Sequence, residues 1–296
     1  MNGSGLRILI IEGNTAEGNA AMAAAGVGKN CEQYAAAVRR SHPDTDITFV
    51  FPADRDDAMP QGVALADFDG VILGGSGLFV RSTGNAPEVQ RQVDLVRAAF
   101  DAGLPVLGSC WGLQVAVVAA GGDVDRSPNG REVGICRDIS VTDAGAGFPM
   151  FDGKPAVFDS LAIHYDEVTS LPSGAEVMAS NVHSPVQAAM FNAGKGVFWG
   201  VQYHPEFSLG HMARLIRRYG PDMVTQGIYP DQEAMDRETD EMLQLEGVAD
   251  PLSPEARVLT CKLHTGVTVA DPAQRNREIE NWLKFCEEFA RGGQEA

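Results

Sequence analysis

The stretch Leu104-Pro105-Val106-Leu107-Gly108-Ser109-Cys110-Trp111-Gly112-Leu113-Gln114, followed by Val115-Ala116-Val117-Val118-Ala119-Ala120, restricts this chain more than any other. An apolar run of strand length passes through a glycine-flanked cysteine into an apolar run of helical length. The pattern predicts a buried strand, a very tight turn and a helix, the arrangement of a nucleophile elbow with cysteine in place of serine. Gly108 and Gly112, two residues to either side of Cys110, remove the Cβ atoms that a strained turn has no room for. The helix that follows aims backbone N–H groups and its positive end at the sulfur, which favours thiolate over thiol. A reactive cysteine needs a base, and Phe198-Trp199-Gly200-Val201-Gln202-Tyr203-His204-Pro205-Glu206 offers one at the end of a second apolar strand.

The elements around these segments alternate. Leu6 to Ile11 reads as a buried strand, near-continuous in branched apolar residues. Glu12 to Asn30, rich in Gly, Ala and Asn, reads as a long flexible loop over the strand's C-terminal end. Cys31 to Arg40 has helical spacing, with Tyr34, Ala35 and Val38 on one face. Asp46 to Phe51 and Phe68 to Leu73 are further strands, the latter ending in Gly74-Gly75-Ser76-Gly77. Pro87 to Ala102 is an amphipathic helix carrying Val89, Val93, Val96 and Phe100. Such alternation predicts an α/β fold, a mostly parallel sheet with helices on both faces. Ligands in such folds bind at the C-terminal ends of the strands, where Gly74-Gly75 and Cys110 both fall.

From about Val133 the pattern changes to short strand-like pieces separated by turns: Val133 to Val141, Ala156 to Phe158, Ala175 to Ala179, Val186 to Phe191 and Gly196 to Tyr203. These predict an antiparallel patch attached to the parallel sheet. Phe207 to Tyr219 reads as a helix. Beyond it, Asp231 to Gln244 and Gln274 to Phe289 look helical and highly charged, with a break at Pro251-Leu252-Ser253-Pro254 and no catalytic motif. The expected division is 1–220 for the α/β domain and 221–296 for a helical extension that packs on it or builds a homo-oligomer interface.

Together, Gly108, Cys110, Gly112 and Gln114 in the first block and Gln202, His204, Pro205 and Glu206 in the second resemble the class I (triad) glutamine amidotransferases, in particular GMP-synthase-like stand-alone members. The resemblance covers roughly three quarters of the chain and implies a flavodoxin-like fold. It assigns the nucleophile to Cys110, proton transfer to His204 and orientation of the histidine to Glu206. It places an oxyanion hole at the backbone N–H groups of Gly75 and Trp111. Ser76 departs from the family's usual Gly-Gly-Pro, a change that bears on loop stiffness. Gln114 would contact bound glutamine. His164-Tyr165-Asp166-Glu167-Val168 resembles the family's His-x-Asp-x-Val stretch, so His164 and Tyr165 are expected to line the glutamine pocket.

Bulk properties narrow the alternatives. Hydrophobic residues are 44% of the 296 and charged residues 21%, an ordinary balance for a globular chain, and the formal net charge is −17. That acidity argues against nucleic acid as a partner. The five cysteines, Cys31, Cys110, Cys136, Cys261 and Cys286, are odd in number and widely spaced, unlike a disulfide framework or zinc site. No apolar run approaches the roughly 18 residues of a membrane span, and the N-terminus lacks the charged and apolar regions of a signal peptide. A reducing, cytoplasmic setting is expected. Two apparent nucleotide motifs fail. Gly26-Val27-Gly28-Lys29-Asn30 lacks both the first glycine, position 23 being Ala, and the Ser/Thr of a phosphate loop. Gly121-Gly122-Asp123-Val124-Asp125 follows a helix and reads as a turn. No cofactor or metal site is expected.

The first functional expectation is therefore hydrolysis of the γ-amide of glutamine through a cysteine thioester, with ammonia passed to a separate ATP-dependent synthetase or ligase. The alternative is a stand-alone hydrolase of γ-glutamyl amides or peptides. A third possibility, a binding or regulatory homologue without turnover, runs against the intact Cys110, His204 and Glu206.

Overall fold

A computed structural model describes residues 5–55, 59–81 and 84–292. The strands are β1 (Arg7–Ile11), β2 (Asp46–Val50), β3 (Gly70–Leu73), β4 (Pro105–Ser109), β5 (Asp123–Arg126), β6 (Glu132–Val141), β7 (Val157–His164), β8 (Asp166–Ser170), β9 (Glu176–Ser180), β10 (Ala188–Ala193) and β11 (Gly196–Val201). The longer helices are α1 (Ala16–Ala24), α2 (Asn30–Ser41), α3 (Pro87–Asp101), α4 (Trp111–Ala119), α5 (Leu209–Thr225), α6 (Gln232–Glu246) and α7 (Pro254–Lys262). Two short helices, α8 (Val267–Ala270) and α9 (Pro272–Arg275), lead into α10 (Arg277–Gly292).

Nine strands form one sheet in the order β2-β1-β3-β4-β11-β10-β9-β6-β7. The first five are parallel and the rest antiparallel, the expected parallel sheet with an antiparallel patch. β11 pairs antiparallel with β10, as its sequence neighbourhood suggests, and on its other edge pairs parallel with β4, Gly200 opposite Gly108 and Val201 opposite Ser109. The apolar run of β11 fits a strand buried on both faces and does not reveal its partner. Gly121 and Gly122 turn as expected, but Asp123 onward forms a strand that pairs with β8 in a separate ribbon.

The stretch from Glu12 to Asn30 is not a long loop. Thr15 caps α1 by accepting the Gly18 N–H, and the helix is anchored where the Ala16 N–H meets Asp54 Oδ1 at 2.8 Å. Its alanines carry helix propensity without an apolar stripe, so periodicity did not expose it. α5 runs through Pro221 to Thr225, past the expected end at Tyr219, and the 220/221 boundary falls within it.

Two cores sandwich the parallel strands. On one face α3 and α4 bury Val93, Val96, Phe100, Leu113 and Val117 against Leu9, Leu73 and Val106. On the other, α2 shares its face with α10, whose Ile279, Trp282, Leu283 and Cys286 recur at helical spacing and are all fully buried with Ile8, Ile10 and Tyr34. Phe285 stacks on Trp199 of β11, ring centroids 4.8 Å apart. A third core joins α5, α6 and α7 through Met212, Ile216, Met235, Met242 and Leu259. Among the described residues no helix is long and apolar enough to cross a membrane. Because Trp282 is wholly enclosed, Trp282→Ala is expected to cost about 3–5 kcal/mol of stability. A denaturation midpoint close to that of the unaltered protein would contradict this view of α10 as part of the sheet's core.

Candidate active site

The site begins with the geometry of Cys110. Its backbone sits at φ 50°, ψ −102°, a conformation L-residues rarely adopt, and its N–H donates to Val201 O at 2.8 Å. The flanking glycines are required by space. A Cβ on Gly112 would stand 2.0 Å from Leu73 O, and one on Gly108 would stand 2.5 Å from the Gly112 carbonyl carbon. β4, β3 and the start of α4 are thus packed backbone to backbone. The first N–H groups of α4, including that of Trp111, have no acceptor within the helix and point toward its N-terminal end. Trp111 itself is fixed by donating its indole N–H to Gln92 Oε1 at 2.8 Å, while Gln92 donates to Gly13 O at 3.0 Å.

Parallel pairing of β4 and β11 brings His204 to Cys110. His204 Nδ1 lies 2.8 Å from Glu206 Oε1, and the Ser109 hydroxyl donates to the same oxygen at 3.0 Å. The imidazole stacks flat on Phe207, centroids 3.9 Å apart and planes within 3°. His204 Nε2 is buried without a hydrogen-bond partner among the described residues, and Cys110 Sγ lies 3.7 Å from Ile163 O. Burial favours the neutral ring, but the Glu206 carboxylate and the nearby Cys110 sulfur outweigh it and push the His204 pKa up to about 10.

Gly75 completes the cluster. A Cβ there would come within 2.7 Å of His204 Cε1, so only glycine fits. Its carbonyl accepts from Asn30 Nδ2 at 2.7 Å. Ser76, where the family usually has proline, ties the loop down by another route. Its hydroxyl lies 3.0 Å from Gly13 O and 3.2 Å from Asn14 Oδ1 and accepts the Leu78 N–H.

These residues open onto one cavity of about 220 Å³. Gly75, Cys110, Trp111, Gln114, His164, Tyr165 and His204 all line it. Glu206 stands behind His204. Gln114 donates to Asp166 O at 2.8 Å and to Gln202 Oε1 at 3.3 Å, so its amide braces the wall from within. His164 is engaged on both nitrogens, with Asp166 O at 3.0 Å and Glu132 Oε2 at 2.9 Å. Burial tends to raise the Glu132 pKa, but bonds from His164, Cys136 and Asn181 prevail and hold it at about 2. Tyr165 faces Arg131, whose guanidinium lies 4.5 Å from its ring and 4.8 Å from that of Tyr219.

The cavity lining is of mixed character, and its apolar members Met22, Val27, Phe207 and Leu215 share one hydrophobic cluster. Arg131, Tyr165 and Asp166 are among its polar members. Sequence reasoning passed over Ser109, Phe207, Arg131 and Asn30. Ser109 lies within the first motif and Phe207 follows the second, so both could have been read with them, whereas Asn30 and Arg131 carry no local signal.

The chain belongs to the class-I glutamine amidotransferase family, whose model matches residues 30–219. A γ-glutamyl-L-1-hydroxyisopropylamide hydrolase from a Pseudomonas species is 35% identical over 227 residues, 76% of this chain and 75% of that protein. The glutamine-hydrolysing GMP synthase of Leifsonia xyli is 37% identical over 155 residues, but this chain spans only 29% of its length. A glutamine amidotransferase structure from Thermotoga maritima shares the fold, with a TM-score of 0.62 at 18% identity, covering 96% of this chain and 98% of that one. One from Methylobacillus flagellatus gives 0.59 at 18% identity over 96% and 94%.

A histidine whose folded pKa stands above its unfolded value of about 6.5 stabilises the fold fully below that value. The contribution is lost as pH rises toward about 10. The stability difference between the protein and Glu206→Gln should therefore be widest below pH of about 6.5 and close toward pH 10. Thermal midpoints across that range test this, and a difference constant with pH would contradict the coupling of Glu206 to His204.

Proposed function

We propose that the protein hydrolyses the amide bond of a γ-glutamyl amide through a thioester on Cys110, releasing an amine larger than ammonia. The observation that carries this reading is the mixed lining of the cavity, where the Arg131–Tyr165 pair and Asp166 occur together with the apolar cluster of Met22, Val27, Phe207 and Leu215. A glutamyl group presents an ammonium and a carboxylate, which suit Arg131, Tyr165 and Asp166. The substituent on the amide nitrogen is left to the apolar cluster, next to His204.

The Cys110 thiolate attacks the γ-carbonyl carbon, and the carbonyl oxygen becomes an oxyanion facing the backbone N–H groups of Gly75 and Trp111. Protonated His204 gives its proton to the departing nitrogen as the carbon–nitrogen bond breaks. The amine leaves and the glutamyl thioester remains. His204, now neutral, takes a proton from water, whose oxygen attacks the thioester; the carbon–sulfur bond breaks, glutamate departs and the thiolate is restored. Glu206 keeps Nδ1 protonated and supports the positive ring, and Ser109 holds the carboxylate in place.

The relative from Pseudomonas, matched along most of both chains, bears a name that describes hydrolysis of such an amide. That supports the stand-alone reading over the expectation of ammonia delivery. The second reading, hydrolysis of glutamine with transfer of ammonia to a separate ATP-dependent synthetase, draws on the GMP synthase relatives, which share only the amidotransferase stretch.

Glutamate release from glutamine and from γ-glutamyl alkylamides separates the two. A three-carbon substituent buried on the apolar cluster contributes about 2.4 kcal/mol, so kcat/KM should exceed that for glutamine by roughly 50-fold. Equal values for the two substrates would favour the ammonia-delivering reading. Cys110→Ala should lose at least about a thousandfold in kcat with the fold intact. Retained turnover in that variant would remove Cys110 from the mechanism.

A further inference from the structure

The C-terminal segment lies outside the residues matched by the family model, yet it touches the chain on both sides of His204. Asn276 Nδ2 donates to Pro205 O at 2.6 Å. Arg40 Nε donates to Asn276 Oδ1 at 3.1 Å, which settles which amide atom faces Pro205. On the other side, the Tyr203 hydroxyl donates to Glu278 Oε1 at 2.6 Å. Lys154 Nζ reaches the same carboxylate oxygen at 2.6 Å, and both charged side chains are completely enclosed. Between these two grips the His204 N–H donates to Leu161 O at 2.7 Å.

We propose that Asn276 and Glu278 are positioning residues for the reaction, holding the Tyr203-His204-Pro205 backbone so that the imidazole meets Cys110 correctly. The proposal rests on the reading of His204 as the group that moves the proton. His204 and Glu206 belong to one short segment, so releasing the clamp leaves their mutual bond intact. What shifts is the pair relative to Cys110, which sits on a different strand. The loss therefore falls on proton delivery and leaves the pocket that binds the glutamyl group unchanged.

This makes the effect dependent on the leaving group. An alkylamine must be protonated to depart, whereas p-nitroaniline is a far weaker base and leaves with little help. Two variants avoid stranding the buried charge of Lys154: Asn276→Ala, and Tyr203→Phe, which removes one hydroxyl and keeps the Lys154–Glu278 pair. For each, kcat on a γ-glutamyl alkylamide should fall roughly tenfold to a hundredfold with KM within about twofold. On γ-glutamyl-p-nitroanilide the fall in kcat/KM, which reports thioester formation and not its His204-assisted hydrolysis, should be under about threefold. Equal losses on the two substrates, or unchanged kcat on the alkylamide in folded protein, would overturn the assignment. If the unaltered protein hydrolyses neither compound, the hydrolase reading fails on its own account. The clamp is then read from alkylation of Cys110 by iodoacetamide, followed by mass spectrometry. A severalfold lower rate in both variants supports it, and an unchanged rate overturns it.

Discussion

The parallel ladder between β4 and β11 is the contact on which the site depends. It places the ends of two strands side by side, and the hydrogen bond from the Cys110 N–H to Val201 O carries the pairing as far as the elbow. β3 lies on the other flank of β4, so the Gly74-Gly75 turn arrives at the same level. Three loops from three adjacent strands therefore converge without any of them being long. The tolerance is small, because Gly112 abuts the Leu73 carbonyl and Gly75 abuts the His204 ring. Packing this close transmits displacement readily, and the rigid sheet behind it resists displacement.

A parallel neighbour also has to be reached by a crossover. Between β4 and β11 the chain builds α4, the β5–β8 ribbon and the antiparallel strands β6, β7, β9 and β10. That excursion supplies polar lining to the cavity. Glu132 at the start of β6 ties it together, collecting His164, Asn181, Gln187 and Cys136 around one buried carboxylate. This part of the lining is thus a hydrogen-bonded unit in its own right, with His164 locked in it on both nitrogens.

Much of this was legible in the residues. The elbow, the parallel strands, α2, α3 and the amphipathic face of α10 all carry strong patterns, and the glycines around Cys110 announce a turn that only they can make. Three things were not legible. α1 is mostly alanine, with one glycine and no apolar stripe, so it resembled a loop. The partner of β11 depends on topology, which an apolar run does not encode. The polar contacts of Asn30, Ser109 and Asn276 join residues distant in sequence, and Asn or Ser in isolation reads as turn or surface. The placement of Cys110, Trp111, Gln114, His164, Tyr165, His204 and Gly75 around one cavity is a property of the structure.

The origin of the cavity's apolar lining has a consequence for how such a site changes over time. The atoms proposed for bond breaking sit on sheet strands and their immediate turns, where a side chain added at Gly108 or Gly112 collides with backbone and one at Gly75 with the His204 ring. The apolar lining draws Met22 and Val27 from α1 and the stretch after it, and Leu215 from α5. α1 is a short, mostly exposed helix fastened at its first turn. Side chains at 22, 27 and 215 lie outside the β4–β11 ladder and the elbow, although Val27 and Leu215 share a buried cluster with Phe207. Under the proposed reaction, selection can in this way alter the amine by small steps while the bond-breaking machinery is inherited intact.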